Sequence, residues 1–470
     1  MTNLLRTGVA TVVAVVVAVG LAAGCTVGTG KATDKTADWD PRVLEIARQV
    51  EDLRGLDFER PVAVRWLSPA KFAKTMQTDA EDLTKADRRD LARQTAALQS
   101  IGMIGPDVDL LAVGNDTTGT LGYYREGTDR ITMPKGRITP EAEVTLAHEL
   151  THALQDQNFG LEAVDRRGSR ASLATDAVVE GDAERTADRY RDRMPRKERK
   201  RSYGDASADE IDPAAATVDV PDAFALQEMV PYELGPMMVE QAKTARPAGV
   251  NSLFLHPPRS EAAFLTPWTL IQGIGLRTVA VPDLAAGETR VGHPQKLDAY
   301  GLYLLLASRL GADRALAAAD QYGGDRWVTF ERGDTTCSRI TVRARSRAGA
   351  PTLQRAVSDW AAAMPAGVAS ATTAGRSTTL TSCDDGSSAG PMPGGAESVA
   401  ALAWERNGTY RYLVTVQPVS VSRCASDRMA RDPASVAFSY VRETKATRAE
   451  IDAFFRRLDQ VVEECGGVTG

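Results

Sequence analysis

Two of the four histidines in this chain, His148 and His152, lie four residues apart and enclose Glu149 in the pattern H-E-x-x-H. Side chains four residues apart share one face of a helix, so both imidazoles can reach a single metal ion. Glu149 is offset from that face, where it could take a proton from water at the metal and later give it to a leaving amine. The pattern predicts a hydrolytic zinc site with Glu149 as general base.

A catalytic zinc ion needs a third protein ligand, and the sequence offers several candidates. The extended H-E-x-x-H-x-x-G-x-x-H form is absent, so the third ligand could be His256, His293 or a downstream carboxylate. A predicted helix over 171–194 contains carboxylates at Asp176, Glu180, Asp182, Glu184 and Asp188. Glu180 is far enough beyond His152 for a loop and a returning helix, but spacing alone leaves its neighbours open as alternatives.

Two further carboxylates are candidates for supporting the ligands. Glu184, one helical turn after Glu180, could hold the free ring nitrogen of a ligating histidine. Asp156, one turn after His152, could orient that ring. The alternative for Asp156 is capping of the loop that follows the helix, and the sequence favours neither.

The residues before His148 predict the start of a helix over 137–157. Thr139 is a suitable N-cap, Pro140 suits the first helical position, and Glu141 complements the positive end of the helix. Upstream, the patterns predict a helix over 41–53, a strand over 60–68, a helix over 80–102, a strand over 110–115 and a hairpin over 121–133 that turns at Glu126–Gly127. Small strands followed by a metal-bearing helix are typical of zinc peptidases.

The last third of the chain has a different pattern, which predicts a small two-layer α+β module over 325–470. Strands are predicted over 326–331, 338–346 and 398–417, and helices over 352–364 and 447–465. The Ser/Thr/Gly-rich stretch 369–395 is predicted to be mostly loop. Nothing catalytic is visible in this module.

The N-terminus indicates export. Residues 1–25 have one early arginine, a long apolar run and small residues before Cys25, which is typical of a bacterial lipoprotein signal. Leu21 lies four residues before Cys25 rather than the usual three, and the alternative is an uncleaved membrane helix. Both interpretations tether the folded part outside the cell, with 26–39 as a flexible linker.

The remaining cysteines and the composition agree with an exported globular protein. Besides Cys25, the chain has an even number of cysteines without C-x-x-C spacing, namely Cys337, Cys383, Cys424 and Cys465. We therefore expect two disulfides, and the sequence allows three ways of pairing these cysteines. The chain is 43% hydrophobic and 25% charged, as in ordinary globular proteins. Its net charge of −6 and scattered basic residues argue against nucleic-acid binding.

The string LAHELTHALQDQ (146–157), followed by AVVEGDA (177–183), resembles a group of little-characterised bacterial and archaeal zinc metallopeptidase-like proteins of gluzincin type. Further segments match in the same order: LRGLDFERPVAV (53–64), GYYREGTDRI (122–131), VPYELG (230–235), PPRSE (257–261) and YGGDRW (322–327). The resemblance covers roughly residues 41–330. It implies His148 and His152 as ligands, Glu149 as base and Glu180 as the third ligand.

The chain departs from that family at Thr266, where the resemblance leads us to expect a histidine. If the histidine stabilises an oxyanion, His256 could replace it, and Tyr232 and Arg259 are further candidates with similar claims. The alternatives are a loop position for His256 and a packing role for Tyr232 at a helix start. His293 is predicted to be a surface residue in a polar loop.

Together these features predict an α+β protein. A mainly helical zincin-like domain with a small N-terminal sheet would occupy 40–324, followed by the disulfide-stapled module over 325–470. The predicted function is a lipid-anchored extracytoplasmic metallopeptidase that uses Zn²⁺ on peptides or proteins of the cell envelope. The alternatives are an inactive zinc-stabilised surface lipoprotein and a zinc hydrolase of a non-peptide bond.

Overall fold

The computed structural model describes residues 39–468, except 79–80, 116–119, 137, 169–172, 204–219, 246–248, 274, 388–389 and 441–445. The predicted signal at 1–25 with its Cys25, and the predicted linker up to residue 38, lie outside the described residues. None of the helices inside the described ranges is long and apolar enough to cross a membrane.

The protein is a mixed α+β structure in which helices predominate. Its first elements, in chain order, are α1 (Pro41–Arg54), β1 (Ala63–Leu67), α2 (Pro69–Met76), α3 (Lys85–Gln99), α4 (Leu110–Gly114), β2 (Tyr123–Arg125), β3 (Arg130–Pro134), α5 (Pro140–Phe159), α6 (Leu161–Arg167), α7 (Leu173–Arg193), α8 (Arg196–Arg201), α9 (Asp222–Glu233), α10 (Gly235–Ala245) and α11 (Asn251–Leu255). They are followed by α12 (Ala262–Leu265), α13 (Thr269–Gln272), β4 (Glu288–Gln295), α14 (Asp298–Leu310), α15 (Ala312–Ala319), β5 (Tyr322–Arg332), β6 (Thr335–Ala344), α16 (Ala350–Ala362), β7 (Ala369–Ala374), β8 (Ser377–Cys383), α17 (Gly395–Leu413), α18 (Val419–Met429), α19 (Pro433–Tyr440) and α20 (Arg448–Glu464).

These elements belong to two compact units. The first unit contains the described residues of three ranges: up to Leu91, Asp109–Asp219 and Val250–Pro257. The second contains Ala92–Val108, Val220–Gly249 and the described residues from Pro258 onward. Much of the chain before residue 325, which was predicted to join the metallopeptidase domain, therefore belongs to the second unit.

In the first unit, a three-stranded sheet has the order β1-β3-β2, with β1 parallel and β2 antiparallel to β3. The β2–β3 hairpin turns at Gly127, whose φ of 66° is favourable for glycine, as predicted from Glu126–Gly127. Residues of α1, α5, α7 and the sheet form one apolar core that includes Val50, Ile131 and Leu150. The metal-motif helix therefore lies inside a packed core.

The helix predictions for this unit are confirmed, but one strand prediction is wrong. Helix α5 begins as predicted, because the Thr139 side chain accepts a hydrogen bond from the Ala142 amide and Pro140 occupies the first turn. The segment 110–115, predicted as a strand, forms α4 instead. The Asp109 carboxylate caps that helix by accepting hydrogen bonds from two backbone amides. The sequence contains this capping residue, but the apolar run that follows it also fits the pattern of a strand.

In the second unit, a five-stranded antiparallel sheet has the order β4-β5-β6-β8-β7. Strands β7 and β8 occupy about half of the segment predicted as loop, because its β-branched threonines suit paired strands. The predicted strand over 398–417 is wrong, and α17 covers most of it. Buried side chains recur there at helical spacing, namely Val399, Leu402, Ala403, Arg406, Tyr410 and Leu413.

Two disulfides connect elements of this second unit. Cys337 pairs with Cys383, directly opposite across β6 and β8, and Cys424 of α18 pairs with Cys465 at the end of α20. The expected number of disulfides is confirmed. The structure selects one of the three connectivities that the sequence left open.

Candidate metal centre

Three donor atoms converge in the first unit. Nε2 of His148 lies 3.0 Å from Nε2 of His152, and Oε2 of Glu180 lies 3.2 Å and 3.3 Å from these two nitrogens. Donors at about 2.0–2.1 Å from a tetrahedral ion are separated by roughly 3.3 Å, so the triangle has the size that such coordination requires. The three residues form a cluster that could hold a metal ion.

The packing of α5 against α7 brings these residues together. The two helices run antiparallel: near one end Tyr190 on α7 donates to Glu143 on α5, and near the other Gln155 donates to the carbonyl of Val179. Small residues, including the fully buried Ala183, allow close approach. The rotation of α7 about its own axis places Glu180 beside the two histidines. The structure therefore brings together the ligand set that the resemblance implies.

The protonation of the rings makes a cation the natural occupant. Nδ1 of His152 lies 3.2 Å from the amide oxygen of Gln155, whereas Nδ1 of His148 forms no hydrogen bond among the described residues and has a carboxylate oxygen of Glu184 at 3.5 Å. Hydrogens on both Nδ1 atoms leave lone pairs on both Nε2 atoms, which face each other and Oε2 of Glu180. That buried oxygen has no hydrogen-bond partner among the described residues, and a cation would satisfy all three donors.

Glu149 is positioned beside the ligands but is not one of them. Its side chain is almost fully buried, and Oε2 accepts a hydrogen bond of 2.7 Å from the Tyr124 amide. Its other oxygen, Oε1, has no hydrogen-bond partner within the described residues. Burial raises the pKa of this carboxyl group. A carboxylate with one anchored oxygen and one open oxygen is suited to accept a proton.

The charges of the cluster shift each other's protonation. Burial alone would lower the pKa of His152, but the Glu180 carboxylate raises it to about 10. Burial would raise the pKa of Glu180, but the two histidines hold it far below its ordinary range. Burial also raises the pKa of Glu184 to about 7. Protons and a metal ion therefore compete for the same donors, and acid would weaken metal binding.

Solvent access distinguishes the three donors. The side chain of Glu180 is 19% exposed, whereas that of His148 is 1% exposed. Part of the Glu180 side chain is therefore accessible to solvent, whereas its donor oxygen Oε2 is buried. A tetrahedral ion held by these three donors would have one coordination position without a ligand from the cluster.

The structure corrects one candidate for the support of His152. Asp156 accepts hydrogen bonds from the Tyr124 hydroxyl, the Gly127 amide and the Leu161 amide, so it anchors the hairpin and caps the next helix. Gln155, which follows His152 on the same helix and for which the sequence leaves support of the site and capping of the next loop equally open, lies beside the ring instead. Its position one turn after His152 in HELTHALQDQ was the available signal. Glu184, the predicted support for a ligating histidine, lies 3.5 Å from Nδ1 of His148 but forms no hydrogen bond with it.

The other acidic candidates on α7 lie outside the donor triangle. Asp182 is fully buried and forms an ion pair of 2.6 Å with Arg54. Asp188 pairs closely with Arg191. Asp176, like these two, does not belong to the described metal cluster.

The remaining candidates are placed as follows. His256 is exposed at the end of α11 and is not part of the described metal cluster. Tyr232, Arg259 and Thr266 belong to the second unit, where Thr266 is buried and its hydroxyl donates to the Ala262 carbonyl. His293 is exposed, as predicted, but lies in strand β4 rather than in a loop.

No protein-family model, curated protein or solved structure matches this chain. The resemblance to gluzincin-type proteins therefore depends on the sequence motifs alone. The identity of the metal depends on the chemistry of the donors.

Proposed function

We propose that this protein is a zinc metallopeptidase. The observation that carries the proposal is the buried triangle of two imidazole nitrogens and one carboxylate oxygen, with the unpaired Oε1 of Glu149 nearby. Two histidines and one glutamate are a ligand set of hydrolytic zinc enzymes. Calcium and magnesium prefer oxygen ligands, which makes them poor matches for two imidazoles.

The residues of the chain divide the work of hydrolysis. His148, His152 and Glu180 would hold the ion, which when bound lowers the pKa of water and polarises a carbonyl group. Glu149 would take the proton of the attacking water on Oε1 and return it to the leaving amine. The hydrogen bond from the Tyr124 amide to Oε2 keeps Oε1 directed away from the strand. Glu184 would hold the His148 ring from behind.

The edge of the small sheet supports a peptide as substrate. Tyr124 is paired with Ile131 in the β2–β3 ladder, but its amide donates to Glu149 rather than to β3. The amide therefore points to the outer side of β2, which has no further strand beside it in the described part of the chain. An extended peptide can add to such an edge through main-chain hydrogen bonds.

The proposed location is the outer face of the cell membrane, with Cys25 as the lipid-modified N-terminus. The two disulfides support an oxidising compartment outside the cytoplasm. Cys25→Ala should move the protein from the membrane fraction to the soluble extracytoplasmic fraction. Membrane association that survives this substitution and washing would argue for an uncleaved apolar helix instead.

Glu149→Gln tests the function directly. We expect the variant to keep one zinc ion per chain and to lose peptide cleavage by about 10²–10⁴-fold, because only the proton acceptor is removed. His152→Ala should lose both metal and cleavage. The measurements are metal analysis and cleavage of a broad peptide library with and without chelator.

Glu143→Gln is the matched control, since Glu143 lies on the same helix and contacts Tyr190 rather than the metal ligands. It should retain both zinc and activity. Unchanged cleavage by Glu149→Gln would refute the mechanism. A wild-type protein that binds zinc but cleaves no peptide would refute the peptidase assignment.

A further inference from the structure

A buried line of polar groups leads from His152 to the first helix of the chain. The amide oxygen of Gln155 lies 3.2 Å from Nδ1 of His152, and its amide nitrogen lies 3.1 Å from Oδ2 of Asp182. The same carboxylate oxygen lies 2.6 Å from Nε of Arg54 on α1. Gln155 and Asp182 are completely buried, and the Arg54 side chain is 4% exposed.

The neighbours of Gln155 determine which way its amide points. The amide nitrogen donates to two acceptors, Oδ2 of Asp182 and, at 3.0 Å, the carbonyl oxygen of Val179. A flipped amide would place its oxygen against these two oxygens and would leave no donor for them. The oxygen of Gln155 must therefore face His152, so Nδ1 of that ring carries the hydrogen and Nε2 is free for the metal.

Arg54 keeps Asp182 in its role as acceptor. Nε of Arg54 donates to Oδ2 of Asp182 at 2.6 Å, and this fixes the position of the oxygen that accepts from the Gln155 amide. The guanidinium of Arg54 also lies over the ring of Phe254, 5.8 Å from its centroid, so the arginine is held from two sides.

We propose that Gln155 is a positioning residue, which fixes the tautomer and orientation of His152 for metal binding, and that the Asp182–Arg54 pair fixes the direction of its amide. This inference rests on the metal centre of the proposed function. It assigns Gln155 no contact with the substrate. Loss of the amide should reduce metal affinity, because His152 could then adopt the other tautomer and present a protonated Nε2.

The direct test compares Gln155→Leu with Gln157→Leu. Gln157 is a nearly buried glutamine on the same helix, but its amide binds the Glu59 and Arg60 amides and the Asp129 carboxylate rather than a ligand. We expect Gln155→Leu to weaken zinc binding by about 10–100-fold, measured by competition with a chromophoric chelator. Gln157→Leu should lower thermal stability while zinc affinity stays near the wild-type value.

A spectroscopic measurement separates positioning from a general loss of packing. Cobalt(II) bound in place of zinc reports ligand geometry through its visible absorption. The spectrum should change in Gln155→Leu and remain unchanged in Gln157→Leu. Equal loss of affinity in both variants, or wild-type affinity and spectrum in Gln155→Leu, would overturn the proposal.

A paired exchange guards against misfolding of the single variants. Gln155→Glu puts a carboxylate against Asp182 and should weaken zinc binding. In the double variant, Asp182→Asn is added to Gln155→Glu. The side-chain amide at position 182 can then donate to the carboxylate at position 155, and that carboxylate can still accept a hydrogen bond from His152. We expect the double variant to bind zinc more tightly than Gln155→Glu alone. No gain in the double variant would contradict the proposed relay.

These outcomes are separate from those that test the function. If wild-type protein binds no metal, the metal centre itself fails. If it binds zinc but cleaves nothing, the peptidase assignment fails while the role of Gln155 can still be tested by affinity. If it binds zinc and cleaves peptides but Gln155→Leu matches the wild type, only the positioning role fails.

Discussion

Each of the two units contains a buried cluster of charged groups, and the two clusters are completed in different ways. In the first unit, His148, His152 and Glu180 place three donor atoms around one point with no cation from the chain between them. In the second unit, the guanidinium of Arg406 is fully buried and its partners are carboxylates of the chain itself. It forms two hydrogen bonds with Asp320 and a close ion pair with Asp427.

A buried carboxylate shows the same contrast. In the second unit, Asp325 accepts from the backbone amides of Leu297 and Asp298 and from the Tyr322 hydroxyl, so both of its oxygens have donors. In the first unit, Oε1 of Glu149 and Oε2 of Glu180 have none among the described residues. Buried charge that the protein satisfies internally supports the fold, whereas buried charge that needs an external partner indicates a site.

Arg406→Ala should produce the largest change in stability, because it removes a fully buried guanidinium from Asp320 and Asp427, which keep only the partly exposed Arg431 as a cation among the described residues. Removing one member of a buried ion pair costs about 3–5 kcal/mol, and the exposure of Asp427 places the expected loss near the lower end of this range. Hydrogen exchange of the α17 amides would measure the loss, and zinc content should not change. Arg428→Ala, which removes an exposed pair with Glu464, is the control and should cost less than about 1 kcal/mol. Equal effects of the two variants would break the comparison.

Removal of the metal should have an intermediate effect, centred on the first unit. At free zinc about 100-fold above its Kd, binding contributes about 2.7 kcal/mol, which a chelator would remove. The exchange rates of α5 and α7 amides should rise on chelation, while those of β5 and β6 change little. His152→Ala should not respond to chelator. If the exchange rates of the α5 amides respond neither to zinc nor to chelator, the assignment of the cluster as a metal site is contradicted.

Glu288 should give the smallest effect, one that depends on pH. Its ion pairs with Arg339 and Arg332 lower its pKa from 4.5 to about 2, so the folded state favours the charged form. The stabilisation is therefore complete above pH 4.5 and is lost as pH falls through about 2. Glu288→Gln should cost about 1–2 kcal/mol at pH 7, allowing for screening of the exposed Arg332.

Denaturant unfolding of the wild type and Glu288→Gln from pH 7 to pH 2 would measure this difference. The difference in the free energy of unfolding between the two proteins should decrease steadily as the pH falls below 4.5. A gap that stays constant to pH 2 would show that the substitution acts through packing rather than through charge.

Local signals explain which predictions about the fold succeeded. Helices α1 and α5 each begin with a capping side chain and a proline, Asp40–Pro41 and Thr139–Pro140, whose effects depend on a few neighbouring residues. Segment 398–417 was mistaken for a strand because its β-branched and aromatic residues have strand propensity. Tertiary packing decided otherwise, since the buried positions of α17 follow a helical period.

The sequence by itself determined the pair of histidines on one helical face, the glutamate between them and the even number of cysteines. Each of these follows from residue spacing or from counting. Which carboxylate completes the triangle, whether Gln155 or Asp156 supports His152, and which cysteines pair were decided only by the tertiary structure. The physical reason is that the rotation of α7 against α5, and the register of β6 against β8, depend on long-range packing that no local window of residues contains.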